Sequence, residues 1–514
     1  MIIKCINQEE YFITERFKTD LKGQAMRGAG ITLFAQFLSF FIHFARTIIL
    51  ARLLTPNDFG LIAMITTFSL LFESFGVTGF SESIIQKDDL DHKKMSTLFW
   101  LNASISLFLT FLFMTAAPFF VWFYQQPHLS FITIGIALSI IANGMAMTHL
   151  ALLRRNMQFY TVTYIRVVSE IICVALAILL ALSGFGYWAL VANAVVWPTL
   201  LAAGGWIFCR WRPGPPGAIK DIIPMIKFGM HTYGNFMLNY FSRNIDKLLI
   251  GWQLGAQSLG YYKKAYDLFA MPASQLITPL NSVALATLSR LRNDPIKYQH
   301  YYMNVLNIIA FIGMPLSAIL TLTGEDIILL VLGPQWVKAG AIFCYFGASI
   351  GIMLIQGTRG WLHLSLGKPD RWFRWSVFET IILTVFFVVG LAFGINGVAI
   401  AYTLSFYILC LPSLVYAGKP INIALSSILS SIWRYSSAAL VSGLLTFAVL
   451  YKFGHIGFAF RDLHVAPRIL IASTICFLLY LILVIIFYQS LSPIKQFFSV
   501  AYQMLPGRMQ KKQS

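Results

Sequence analysis

Charge is scarce in this chain. Only 11% of its 514 residues are Asp, Glu, Lys or Arg, where soluble domains carry about a quarter. With 58% hydrophobic residues and a mean hydropathy of +0.72, a water-soluble fold is excluded and an integral membrane protein is expected. Acid is scarcer than base: 20 carboxylates stand against 38 Lys and Arg, a formal charge of +18. Six cysteines (Cys5, Cys173, Cys209, Cys344, Cys410 and Cys476) lie scattered with no CxxC or CxxH spacing, which argues against a disulfide framework and a zinc site. A P-loop is also missing, because Gly367-Lys368 is followed by Pro369 where Ser or Thr is needed. No catalytic residue, metal or cofactor is expected, and no external loop is long enough for a folded catalytic domain.

What the chain has instead is long apolar runs. Between Met26 and Tyr488 they follow one another with short loops between them, each about 20 or more residues long, the length that crosses a bilayer as a helix. Ile31 to Phe44 and Ile469 to Tyr488 are apolar on nearly every face, unlike the alternating strand of a transmembrane barrel. The expected fold is an all-α polytopic membrane protein with about fourteen transmembrane helices. With both termini in the cytoplasm, 27 Lys and Arg fall in cytoplasmic segments and 5 in external ones, a positive-inside bias. Topology and contact with anionic membrane lipids thus account for the basic excess, and no nucleic-acid partner is expected.

The main internal boundary is the Pro- and Gly-rich stretch Arg210 to Pro224. It divides the chain into a cytoplasmic leader (1–26), a first lobe of six helices (27–209), an inter-lobe loop (210–223) and a second lobe of six helices (224–416). Two further helices (417–488) and a cytoplasmic tail (489–514) follow. Shifting the second lobe by 200 residues matches Thr32 with Thr232, Leu38 with Leu238, Phe41 with Phe241, Leu54 with Leu254 and Gly60 with Gly260. An even number of spans per lobe makes the repeats parallel, one of the architectures of secondary transporters.

Ionisable residues inside spans are the functional pointers, since each costs about 2.5–3.5 kcal/mol at mid-helix unless it meets a partner or a wet cavity. His43 and Arg46 share a face of the first span. Arg243, Asp246 and Lys247 are expected on one side of the seventh, and the 200-residue shift sets His43 against Arg243 and Arg46 against Asp246. Arg359 closes the set of candidate substrate-binding residues with His43, Arg46, Arg243 and Lys247. Asp246 and Glu73 are the deep carboxylates able to couple transport to H⁺ or Na⁺. Asp246 reads equally as the partner of Arg243 or Lys247, and Glu73 as the partner of an Arg. Asp267 and Glu379 read as solvated.

Specific strings then narrow the reading. ARLLTPNDFGLIAM (Ala51 to Met64), GFSESIIQKDDL, SGFGYWALV, NIDKLLIGWQLGAQSLGYYKKAYDLFAMP and VLGPQWVKAG occur in order, and over about Arg27 to Tyr416 the chain resembles bacterial polysaccharide exporters of the colanic acid and O-antigen flippase type. The resemblance implies membership of the multidrug, oligosaccharidyl-lipid and polysaccharide transporter superfamily: two six-helix bundles around a central cavity, working by alternating access in the inner membrane. It also implies a cargo like an undecaprenyl-diphosphate-linked oligosaccharide, and work beside the polymerase and export machinery of exopolysaccharide, capsule or O-antigen synthesis. Spans rich in basic groups suit such a diphosphate. The alternative is a drug or cation antiporter of the same superfamily, in which acidic and aromatic cavity residues would be expected instead.

Overall fold

The computed structural model describes residues 21–86, 90–452, 460, 462–495 and 497. The expected leader up to residue 20, most of the loop after Lys452 and most of the tail lie outside the described residues. Every long element is a helix: α1 (Leu21–Leu53), α2 (Pro56–Gln86), α3 (His92–Thr115), α4 (Ala117–Tyr124), α5 (Leu129–Arg155), α6 (Phe159–Leu182), α7 (Trp188–Phe208) and α8 (Ile223–Leu291). There follow α9 (Pro295–Leu332), α10 (Val337–Gly357), α11 (Arg359–Ser365), α12 (Pro369–Leu391), α13 (Gly394–Gly418), α14 (Leu425–Phe447) and α15 (Val465–Tyr488). Among the described residues, twelve helical segments are long and apolar enough to cross a membrane. The chain is an all-helical polytopic membrane protein. The sequence expects fourteen spans; the two not among these twelve, 224–254 and 260–289, are the halves of α8, which Gly255 (φ 79°) breaks. That backbone region is open to glycine at little cost.

The string TPNDFG explains the turn between α1 and α2. Thr55 Oγ1 donates to Asp58 Oδ2 at 2.7 Å, the Thr55 N–H donates to the same oxygen at 2.9 Å, and the Asp58 N–H donates back to Thr55 Oγ1 at 3.3 Å. This is a capping box with aspartate as its acid, and Pro56 takes the first helical position, where no N–H is needed. One turn on, α2 lies so close to the start of the second half of α8 that a Cβ on Gly60 would overlap the Ala256 carbonyl oxygen. A Cβ on Gly260 would overlap the Pro56 carbonyl in the same way. The two contacts are reciprocal under the 200-residue shift, which sets Gly60 on Gly260 and Pro56 on Ala256.

Two compact units divide the chain, the first ending at Gly260 and the second beginning at Tyr261. In the first, α5 packs against α2, α3 and α7, and α6 lies between α1 and α7. The segment read as the inter-lobe loop is a strap docked on α3. Trp211 is fully buried, the Gly214 and Gly217 N–H groups donate to Ser96 Oγ (2.9 Å) and Thr97 Oγ1 (2.7 Å), and Trp100 Nε1 donates to the Gly214 carbonyl at 2.9 Å. Proline and glycine there rule out helix but not order; side-chain hydroxyls of α3 bond the backbone that helix formation leaves open.

In the second unit α9 packs against α10, α14 and α15, while α13 lies between α10 and α12. Gly313 and Gly351 let α9 and α10 meet backbone to backbone, with the Gly351 N–H donating to Ser317 Oγ at 2.8 Å. Small residues at such a crossing are how membrane helices gain contact without a hydrophobic driving force. Aromatic rings of Tyr262, Tyr266, Phe269, Phe346 and Tyr402 interlock edge-to-face and tilted at centroid distances of 5.0–6.4 Å.

Candidate functional site

In the first unit, α1 brings His43 and Arg46 together on one face: an Arg46 guanidinium nitrogen contacts His43 Nδ1, and its other nitrogen donates to Asn193 Oδ1 of α7 at 3.2 Å. Asn193 went unnoticed in the sequence, although a lone amide in an apolar run is the signal that marks such a partner. The first half of α8 is fastened to α2 by two tyrosines, Tyr233 donating to the Leu71 carbonyl (2.8 Å) and Tyr240 to the Thr67 carbonyl (2.9 Å). On this half-helix Asp246 is only 3% exposed while Arg243 is exposed. Three residues along a helix leave side chains about 60° apart, so the side that Arg243, Asp246 and Lys247 share runs from a buried position to an exposed one. Lys247 Nζ donates to Asn244 Oδ1 at 2.7 Å.

Glu73 of α2 is partly buried and meets neutral groups. Its Oε1 lies 2.9 Å from Ser69 Oγ and 2.7 Å from Ser139 Oγ, and its Oε2 accepts from Asn143 Nδ2 at 3.1 Å. Among the described residues no Lys, Arg or His bonds it, so the reading of Glu73 as the partner of an Arg does not hold. The hydroxyl of Ser139 is also 2.7 Å from the Ile136 carbonyl, and a hydroxyl has one proton. If Ser139 donates to Ile136, the short contact with Glu73 needs a proton on the carboxyl group; if it donates to Glu73, the contact also suits a charged carboxylate. The same heavy-atom frame therefore satisfies both protonation states.

In the second unit Arg359 is at the start of α11 and forms a two-pronged pair with Glu379 of α12, at 2.8 and 2.6 Å, with side-chain exposures of 18% and 12%. Gln356 Nε2 adds a donor to Glu379 Oε1 at 3.3 Å. Glu379, read as solvated, is thus an ion-pair partner, because α12 turns that face onto the α10–α11 junction. Asp267, also read as solvated, pairs with Lys263 at 3.0 Å one turn away. His363 is buried beside the Tyr416 ring, and Arg371 lies over the same ring at 4.4 Å. The string GASIG at 347–351 has the letters of a hydrolase nucleophile elbow, but it lies within α10, where Gly351 packs on Gly313; the elbow needs a strand-to-helix turn.

A family model described as "Polysaccharide biosynthesis protein" matches residues 49–341. The teichuronic acid biosynthesis protein TuaB of Bacillus subtilis (strain 168) is 24% identical over 304 residues, covering 58% of this chain and 62% of TuaB. The chain thus spans about three-fifths of that relative. The lipopolysaccharide biosynthesis protein WzxC of Escherichia coli (strain K12) is 22% identical over 397 residues, covering 75% of this chain and 78% of WzxC. Among solved structures, lipid II flippase MurJ in an inward closed conformation superposes with a TM-score of 0.70 over 89% of this chain and 98% of that one, at 15% identity, so the fold is shared.

Proposed function

Since the chain belongs to the family of polysaccharide biosynthesis proteins and has the fold of a flippase, we propose that it is a transporter, not an enzyme, and that it carries a polyprenyl-diphosphate-linked oligosaccharide across the bacterial inner membrane. The observation that carries the reading is the surplus of cations inside spans of a protein of this family: Arg46, Arg243 and Lys247 lie in the first compact unit. A sugar head group cannot cross hydrocarbon cheaply, because each unpaired hydroxyl costs several kcal/mol there. A polar path within the protein removes that cost while the polyprenyl tail stays in lipid. Arginine offers a two-pronged grip on phosphate and lysine a point charge. His43 orients Arg46, and Arg359 is a cation already held by Glu379, to be released only against another anion. In this reading the halves of α8 are the seventh and eighth of fourteen spans, arranged as six-helix lobes 27–209 and 224–416 plus two helices. Both termini are cytoplasmic, as the 27-to-5 distribution of basic residues favours. Glu73 is the coupling carboxylate, taking up and releasing a proton, since its neighbours tolerate both states; Asp246 is the second candidate, through its adjacent cation Lys247.

The test is a flipping assay in proteoliposomes with an undecaprenyl-diphosphate oligosaccharide whose exposure is read by a periodate- or lectin-accessible sugar. The wild-type protein is expected to flip the lipid, and Arg243→Ala and Lys247→Ala to lose flipping while still inserted. Uptake of an organic cation with no flipping would replace this reading with the antiporter.

A further inference from the structure

The second compact unit contains a cavity of about 1070 Å³ lined by α9, α10, α13, α14 and α15, which none of the candidate cargo residues lines. Its walls are apolar or small. Along α9 it runs from Met314 past Ala318 to Leu329, and along α14 from Ser436 past Gly443 to Phe447. The α14 stretch rises over eleven residues, about 16 Å, and the α9 stretch over fifteen, about 22 Å, which is half to three-quarters of a hydrocarbon core of about 30 Å. The cavity is therefore deep enough for the acyl chain of one leaflet. A Cβ on Gly443 would sit 3.4 Å from the Ala318 Cβ, so small residues on both walls keep the groove open.

Charge is confined to one end. Asp326 of α9 pairs with Arg468 of α15, with side-chain exposures of 14% and 20%. Glu325 beside them is exposed, lines the same cavity, and has no ion pair among the described residues. Lys338, one residue beyond the lining Val337, does not line it. The rim thus carries two carboxylates and one guanidinium, a net charge of −1. Basic pockets select anionic lipid head groups, and by the same Coulomb attraction an acidic rim selects a head group that brings an ammonium.

We propose that this groove is a binding site for one zwitterionic phospholipid with a primary amine. An acyl chain would lie along Ala318 and Gly443, the ammonium against Glu325, and the phosphate within reach of Arg468. A diphosphate lipid is disfavoured by the sign of the rim, which separates this site from the cargo path. The observation needs only that the chain is embedded in a membrane, so it stands apart from the cargo reading.

The experiment is native mass spectrometry and thermal unfolding of the purified full chain in detergent, titrated with phosphatidylethanolamine or with phosphatidylglycerol of the same acyl chains. One phosphatidylethanolamine per chain is expected to remain bound and to raise the melting temperature, with phosphatidylglycerol binding about fivefold more weakly, the scale of one partly exposed ion pair. Glu325→Gln should remove that preference while leaving acyl-chain affinity, and Gly443→Leu should weaken both lipids equally by filling the groove. Equal or tighter binding of phosphatidylglycerol to the wild type would overturn the proposal, as would an unchanged preference in Glu325→Gln or unchanged lipid binding in a folded Gly443→Leu protein. Because flipping is not the readout, a failure here leaves the transport reading standing, and a failed flipping assay leaves this one.

Discussion

In the first compact unit Glu73 is surrounded by two serine hydroxyls and an amide, whereas in the second Glu379 and Asp326 each face an arginine. The difference separates two uses of a carboxylate inside a membrane protein. An arginine fixes the charged form, since either partner alone would be an uncompensated charge in a poorly polarisable medium. Neutral donors satisfy the lone pairs without fixing the charge, so a proton can come and go with little rearrangement. The first arrangement is a brace, and the second is a place where a proton gradient could act.

The comparison is broken most sharply at the brace. Glu379→Ala leaves Arg359 mostly buried without its partner and is expected to destabilise the purified protein by about 3 kcal/mol, seen as a lower melting temperature in detergent. The paired replacement Arg359→Met with Glu379→Leu should recover most of that loss, and a double variant as unstable as the single one would remove the pair from the account. Next in size is Gly60→Ala, where a new methyl meets the Ala256 carbonyl; overpacking of this kind costs about 1–3 kcal/mol. Gly260→Ala should match it within error if the contact is reciprocal in energy as well as in geometry.

Glu73→Gln sharpens the contrast from the other side. The amide oxygen can accept from both serine hydroxyls, while its NH₂ loses the bond from Asn143 Nδ2, so stability should change by about 1 kcal/mol. Flipping driven by an imposed pH gradient should nevertheless fall to the rate seen without a gradient. A normal gradient response would transfer the coupling role to Asp246 or elsewhere. The smallest effect belongs to a carboxylate outside the spans. Asp294 caps α9, its carboxyl held below the usual carboxylate range first by the backbone N–H of Lys297 and then by the lysine side chain. A depressed folded value contributes stability that is present above the unfolded value near 4 and lost as pH falls through the folded one. Asp294→Ala should therefore lower the melting temperature slightly at pH 7 and have no effect at pH 2, measured by the same unfolding scan.

Helices and their order were legible because an apolar run of bilayer length has few other solutions, and the turn at Thr55 to Asp58 was legible as a family string before its capping box gave a reason for it. The partners of the buried charges were not. Glu379 is twenty residues from Arg359, and Asp326 is 142 from Arg468; such pairs depend on which helix faces meet, and local spacing carries no trace of that. Spacing also left out how unequal burial is along one side, as between exposed Arg243 and buried Asp246 about 60° away. Ser139 and Asn143, the donors around Glu73, escaped notice because hydroxyls and amides in a span look unremarkable until a carboxylate is placed beside them.

The crossing of Gly60 with Ala256 and of Gly260 with Pro56 has a consequence for descent. Each partner occupies the position in its half that the other occupies in the opposite half, so residue i meets j while j meets i, the mark of an isologous interface between identical copies. Here both stretches belong to one polypeptide. A half-length ancestor pairing around a two-fold axis would already have owned this contact, and a glycine at that position would have been required once and used twice. Under the 200-residue shift Gly60 and Gly260 match at that crossing, whereas His43 stands against Arg243 and Arg46 against Asp246, so a shared contact would tie the glycines while leaving the charges free to differ.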